Sequence, residues 1–350
     1  ILICCHLLFG INWEKYYIKI LLSFYPMNKK MFHAVMAICL LLLSSIIFSG
    51  CISRNSDDPQ TEIRSIQFDG LNRSYRIHIP SSYNGIKSNA LVFVLHGGGG
   101  SGENMENELT KQGLNQIASE HNFILVYPDG IENKWNDGRS KISDNESFYE
   151  VDDVGFLTYL IDELSVEFNI LDDNVFFTGI SNGGFMCYRL AFEIPNKIKA
   201  IAPVAATNAV DHLAKYTTHG PISICMICGT DDPLVPYDGG FITVFNQTRS
   251  KVTSVNDTVD FWIENNQCNI IPEVIEYPDT APLDGTRVIL KKYDQGINDT
   301  CVYVYSIQGG GHTWPGGKQY FPEWLIGKTC RDIDANIEIW AFFSLMYKYI

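Results

Sequence analysis

The stretch Val175-Phe176-Phe177-Thr178-Gly179-Ile180-Ser181-Asn182-Gly183-Gly184 decides how this chain is read. Its first six residues read as a strand. Gly179-Ile180-Ser181-Asn182-Gly183 then matches G-x-S-x-G, and residues 183–192 carry helical spacing. Five residues match by chance often enough, but a strand before and a helix behind form the context of a nucleophile elbow. There a tight turn pushes the serine hydroxyl outward at a helix N-terminus, where amides favour developing negative charge.

Working outward, short strands and helices alternate. Strands are predicted over 62–68 and 73–79 (an antiparallel hairpin), then 90–95, 123–127, 200–204, 222–228, 286–293 and 302–307. Helices are predicted over 103–120, 153–168, 255–265 and 333–347. The fold class is α/β, with a mostly parallel central sheet, antiparallel N-terminal strands and helices on both faces. Residues 62–350 read as one catalytic domain, with no second domain and no internal repeat.

A serine nucleophile needs a base, and the base needs an orienting acid. Two aspartates, Asp231 and Asp232, follow the strand over 222–228; Asp232 is favoured, though both could reach. His312 follows the strand over 302–307 inside Gly309-Gly310-Gly311-His312-Thr313-Trp314. The chain order Ser, Asp, His, each after a strand, is that of α/β-hydrolases. His78, His96, His121, His212 and His219 fit that order worse. An oxyanion hole would take the amide of Asn182 and one from His96-Gly97-Gly98-Gly99-Gly100, with Gly97 and Gly98 as candidates. Trp135 and Trp314 are read as walls of an acyl-binding cleft, and Asp152 and Asp153 as caps of the helix behind them. No cofactor or metal is expected. H-E-x-x-H and the phosphate-loop pattern are absent, and Cys225 and Cys228 on a strand point to opposite faces. Cys268 and Cys301 are the best candidates for a disulfide.

Composition narrows the partners. The chain has 350 residues, 26 Lys+Arg against 40 Asp+Glu, 46% hydrophobic and 19% charged residues. A net charge of −14 argues against nucleic acid, whose counterions Lys and Arg must replace. Met27-Asn28-Lys29-Lys30 opens a basic segment that runs into the apolar stretch 34–48 and ends Phe48-Ser49-Gly50-Cys51. This is the pattern of an export signal, and its ending resembles a lipobox with Cys51 as the lipidated residue. An uncleaved anchor is the alternative, although 15 apolar residues fall short of the ~20 that span a bilayer. Residues 1–26 contain no Met and are read as translated from upstream of the start; 52–61 read as a polar tether. Beyond residue 51 the chain holds 22 basic and 39 acidic residues, a net −17 that disfavours strongly anionic substrates.

Taken together, these segments resemble a known family, the secreted polyhydroxybutyrate depolymerase and feruloyl esterase-like proteins of the first carbohydrate esterase family. The resemblance rests on Arg73-Ser74-Tyr75-Arg76-Ile77-His78-Ile79-Pro80, the 95–100 and 178–184 segments, Val126-Tyr127-Pro128-Asp129-Gly130, Trp135-Asn136-Asp137-Gly138-Arg139, Val151-Asp152-Asp153-Val154-Gly155-Phe156, Asp231-Asp232-Pro233-Leu234-Val235-Pro236-Tyr237, the 309–317 segment and Arg331-Asp332-Ile333-Asp334-Ala335. It implies Ser181 as nucleophile, His312 as base and Asp232 as acid, since the family's acid immediately precedes the Pro-x-Val-Pro segment. Asp231 departs from the family, which has a small residue there. The implied function is an exported, cell-surface serine carboxylesterase acting on feruloyl or acetyl esters of plant polysaccharide. Hydroxyalkanoate polyester is the runner-up substrate, and a serine oligopeptidase the runner-up class. The membrane is expected as a partner only through a lipid on Cys51.

Overall fold

The computed structural model describes residues 61–85, 90–140, 147–171, 174–244 and 247–347. The leader, Cys51 and all of the tether but Thr61 lie outside these residues. Residues 59–350 form one compact unit.

Among the described residues ten strands build one sheet, and two more form a separate hairpin. The strands are β1 (Glu62–Phe68), β2 (Leu71–His78), β3 (Leu91–Leu95), β4 (Ile124–Pro128), β5 (Val175–Ile180), β6 (Ala200–Val204), β7 (Ser223–Gly229), β8 (Gly240–Val244), β9 (Gln247–Val252), β10 (Glu273–Glu276), β11 (Arg287–Tyr293) and β12 (Val302–Gln308). The sheet order is β1-β2-β4-β3-β5-β6-β7-β12-β11-β10. The six central strands from β4 to β12 are parallel, and an antiparallel pair closes each end. This is the α/β-hydrolase architecture.

Burial on both faces explains the unbroken apolar runs. Along β7, Ile224, Met226 and Cys228 pack into one core while Cys225 and Ile227 pack into the other. The first core is covered by α2 (Asp153–Glu167), α3 (Asn182–Glu193) and α4 (Val255–Asn266), the second by α1 (Gly113–His121) and α5 (Ala335–Met346). Phe93 and Phe177 stack across neighbouring strands at 4.5 Å in the first core; each buried ring contributes about 1.5–3 kcal/mol by burial.

Three expectations change. The helix predicted over 103–120 is broken. A short turn, Gly102–Asn104, passes into the wider π turn Met105–Leu109, and α1 starts only after Lys111 and Gln112, both at positive φ. The hairpin β8–β9 and the edge strand β10 were not foreseen. Cys268 and Cys301 are not joined: both are buried free thiols. Cys268 donates its thiol to the Thr300 carbonyl (3.7 Å), while the Cys301 backbone is taken up in pairing with β7. Burial pushes the two thiols up, to about 11 and about 12.

Candidate active site

Ser181 sits between β5 and α3 at φ 55° and ψ −119°, a conformation that a non-glycine residue adopts only under constraint. The constraint is tight backbone contact. A methyl group on Gly183 would lie 2.4 Å from the Leu95 carbonyl oxygen at the end of β3. The Ser181 amide donates to the Val204 carbonyl at the end of β6 (2.9 Å). The turn is therefore clamped between the two neighbouring strands.

His312 and Asp232 meet at the C-terminal ends of β12 and β7. His312 Nδ1 lies 2.7 Å from Asp232 Oδ2, with both side chains almost wholly buried. The other carboxylate oxygen, Oδ1, accepts the amides of Leu234 and Val235 at 2.8 Å each. One oxygen is thus locked by the loop and the other is aimed at the imidazole. The His312 amide donates to the Ile326 carbonyl (2.6 Å), and its carbonyl accepts from the Tyr320 hydroxyl (2.7 Å). Gly311 lets the two loops touch, since a methyl there would sit 2.2 Å from the Ile326 oxygen. Asp231 is exposed, and among the described residues its carboxylate accepts the neighbouring Thr230 hydroxyl.

The glycine loop after β3 lies beside the serine. A methyl on Gly97 would stand 3.6 Å from Ser181 Cβ, and one on Gly98 3.8 Å from Asn182 Cβ. The Gly99 amide donates to Asn133 and the Gly100 amide to Gly97, so the loop closes on itself around the Gly97 and Gly98 amides. His96 holds the loop in place. Its Nε2 accepts the Gly130 amide (2.9 Å), which makes Nδ1 the donor to the Gly97 carbonyl (2.8 Å). Burial lowers its pKa, in keeping with this neutral ring.

Trp135 and Trp314 are not cleft walls. Both are fully buried. Trp135 donates its indole N–H to the His96 carbonyl (3.0 Å), and Trp314 donates to Asn336 Oδ1 in the first turn of α5 (3.1 Å). An indole satisfied inside the protein packs as core, and these two support the loops that carry the site. Asp153 is likewise no cap. Asp152 caps α2 through the Gly155 amide, whereas buried Asp153 pairs with Arg73 (2.7 Å) and accepts the Asn136 amide (2.7 Å).

Ser181, Asn182, His312 and the glycine loop line one cavity of about 570 Å³. Its remaining wall is mostly apolar, with Leu234, Val235, Ile242, Val244, Tyr320 and Phe321 among the lining residues. The hairpin residues Ile242 and Val244 escaped the sequence reading, although Phe241-Ile242-Thr243-Val244 after two glycines carries a strand signal. Trp324 escaped it too. It stands beside the cavity-lining Leu325, and its side chain is 82% exposed.

Behind one wall lies a buried polar frame. The Asn182 side chain donates to Asp137 Oδ2 (2.6 Å) and to the Trp135 carbonyl (3.0 Å), and its Oδ1 accepts the Trp135 amide (2.8 Å). Burial works to raise the Asp137 carboxyl, but Arg139 at 2.6 Å, together with His212 and the Asn182 hydrogen bond, outweighs it and the net shift is downward. His212 Nε2 lies 2.6 Å from the Asp137 carbonyl, and its Nδ1 is buried without a partner. The group Asp284, Cys330 and Asp332 has metal-like spacing. Its carboxylates accept the amides of Thr286, Arg331, Thr280 and Ala281, while Asp332 Oδ2 is buried with no hydrogen-bond partner among the described residues. No described helix is long and apolar enough to cross a membrane.

No family model matches the chain. It is 29% identical to a protein of Nocardia uniformis subsp. tsuyamanensis named "Putative esterase NocK", over 79% of this chain and 81% of that one. It is 28% identical to feruloyl esterase D of Neurospora crassa over 75% of this chain and 81% of the relative. Feruloyl esterase C of Emericella nidulans matches at 28% over 50% of this chain and 60% of its own length. Among solved structures, an acetyl xylan esterase from Aspergillus awamori overlaps with a TM-score of 0.47 at 13% identity, over 72% of this chain and 94% of that one; the fold assignment rests on the strand order and the elbow, not on that overlap.

His212 yields a pH prediction. Burial pushes this ring from 6.5 down to about 4, against the pull of Asp137. Between those values the unfolded chain binds the proton and the folded chain does not. The stability of the neutral ring is therefore present above about pH 6.5 and is lost as pH falls toward 4. Urea titrations should show roughly 2–3 kcal/mol of such loss between pH 7 and 4.5. His212→Gln should remove that part of the acid slope; an unaltered slope would contradict the assignment.

The elbow, the loop geometry and the strand order are those of an α/β-hydrolase, and over three quarters or more of its length the chain is similar to proteins named putative esterase and feruloyl esterase.

Proposed function

We propose that the protein is an exported serine carboxylesterase whose nucleophile is Ser181, base His312 and acid Asp232. The supporting observation is the buried Asp232–His312 pair at 2.7 Å, opening onto the same cavity as the strained Ser181. With Nδ1–H donated to Asp232, the imidazole presents Nε2 as the proton acceptor. Attack of Ser181 Oγ on an ester carbonyl passes its proton to His312. The negative oxygen is met by the amide of Asn182 and that of Gly97 or Gly98. His312 then protonates the departing alcohol and later activates the water that frees the acid.

Ser181→Ala should lower kcat by roughly 10⁴ or more, abolish labelling by a fluorophosphonate and leave the circular dichroism spectrum unchanged. Asp232→Asn should cost far more activity than Asp231→Asn, because only Asp232 touches the imidazole. Equal losses would overturn the choice of acid.

The substrates we propose are feruloyl or acetyl esters on plant polysaccharide. A cavity of about 570 Å³ with a mostly apolar lining suits a flat acyl group, falling in the ~300–1,000 Å³ range of small-molecule sites. Exposed Trp324, with Phe321 nearby, offers a stacking surface for the attached sugar chain. Trp324→Ala should lower the ratio of kcat/KM on feruloylated arabinoxylan to that on methyl ferulate by roughly two- to tenfold, a stacking contact being worth ~0.5–1.5 kcal/mol. An unchanged ratio would remove Trp324 from substrate binding.

Export through the 27–51 signal and anchoring by a lipid on Cys51 fit a polymer met outside the cell. A labelled fatty acid should attach to the wild type and not to Cys51→Ser. A Cys51→Ser protein that stays in the membrane would favour an uncleaved anchor.

A further inference from the structure

The cavity carries one charge that nothing among the described residues balances. Beyond the residues assigned to chemistry, its Asp, Glu, Lys and Arg lining is Glu108, Lys134, Asp137, Arg139 and Arg249. Glu108 pairs with Lys318 at the surface (2.8 Å), and Asp137 with Arg139 (2.6 Å). Arg139 also lies over the Phe185 ring at 4.1 Å, and Lys134 over the Phe148 ring at 4.6 Å. Arg249 differs. Among the described residues it has no ion pair and no hydrogen bond, and its Nε is shut away from solvent with no acceptor.

A buried donor left without an acceptor calls for an explanation, because its lost hydration is not repaid. The place of Arg249 supplies one. It stands on β9 of the hairpin that also sends Ile242 and Val244 into the cavity. A guanidinium is always charged and presents a planar fork matched to a carboxylate, so an arriving carboxylate would satisfy it with two charge-assisted hydrogen bonds. The chain as a whole is acidic, with 40 acidic against 26 basic residues, and its long-range field repels polyanions. An unpaired guanidinium inside the cleft acts at short range, and suits a substrate that is neutral over most of its length with one carboxylate near the ester.

We propose that Arg249 is a specificity residue, and that the preferred substrates are esters carrying a free carboxylate within reach of the scissile bond. This rests on the serine esterase reading of the site. Two sources share the chemistry: a uronic acid unit of an esterified polysaccharide, and the terminal carboxylate of a hydroxyacid oligomer.

The test compares each acid with its methyl-capped form. Three pairs serve: 4-nitrophenyl hydrogen succinate, an O-acetylated methyl glucuronoside and a hydroxybutyrate trimer. The readout is the ratio of kcat/KM for the acid to that for its capped partner. In the wild type the ratio should exceed one for at least one pair, and that pair identifies the source. It should fall at least tenfold in Arg249→Gln and be partly regained in Arg249→Lys. The same ratio in wild type and Arg249→Gln for every pair would overturn the proposal, whatever the absolute rates. Calorimetric titration of the free acids into Ser181→Ala protein, with and without Arg249→Gln, separates the two readings. Carboxylate binding lost with Arg249 upholds the proposal even if no ester is turned over, in which case the esterase reading alone fails. Absence of binding to the parent variant counts against Arg249.

Discussion

The site depends on one close backbone approach, that of the β5–α3 turn to the end of β3. Gly183 comes so near the Leu95 carbonyl that no side chain fits between them. That approach brings Gly97 against Ser181 and Gly98 against Asn182, and so sets the glycine loop beside the hydroxyl. It also holds Ser181 at a positive φ, a strain of about 1–3 kcal/mol that the flanking strands must absorb. A parallel sheet suits this task. Its central strands are covered on both faces and run in one direction, so the loops after β3, β5, β7 and β12 all emerge at one end.

The walls of the cleft use polar groups as positioning devices. Arg73 and Asp153 are buried as a pair, with the guanidinium 3.8 Å from the Phe156 ring centroid. Such pairs add little net stability, since desolvation cancels most of the attraction. Their contribution here is geometric. Asp153 accepts the Asn136 amide and Asn182 grips Trp135 and Asp137, so the 135–139 segment is tied both to α2 and to the elbow. The side chain of a candidate oxyanion residue thus also fixes the wall of the cavity.

Much of this was legible in the sequence, because it follows from local rules. An apolar run such as 90–95 suits a strand buried on both faces, and G-x-S-x-G after the strand over 175–180 leaves few backbone solutions. Loops ending in Asp232 and His312 follow strands in the order that such a sheet requires. Where local rules compete, the reading failed. Lys111 and Gln112 have ordinary helix propensity, yet both turn left-handed between a π turn and α1. β8 and β9 form a two-stranded hairpin outside the main sheet, so no large buried sheet face imprints a long apolar run on them.

The sequence by itself determined the alternation of strands and helices, the elbow and the chain order of the three candidate catalytic residues, because each is written in neighbouring residues. Exposure and pairing were decided by the tertiary structure. Trp135, Trp314 and Trp324 look alike in a sequence, yet the first two have indole partners 39 and 22 residues away and the third has open solvent. Asp231 and Asp232 differ by one position, and the loop turns only the second toward His312. Arg249 and Arg139 are both cations of the cleft wall, but an aspartate two residues away neutralises Arg139 while nothing among the described residues reaches Arg249. Whether a polar group is satisfied depends on which distant segments fold against it, and that information exists only once the chain is packed.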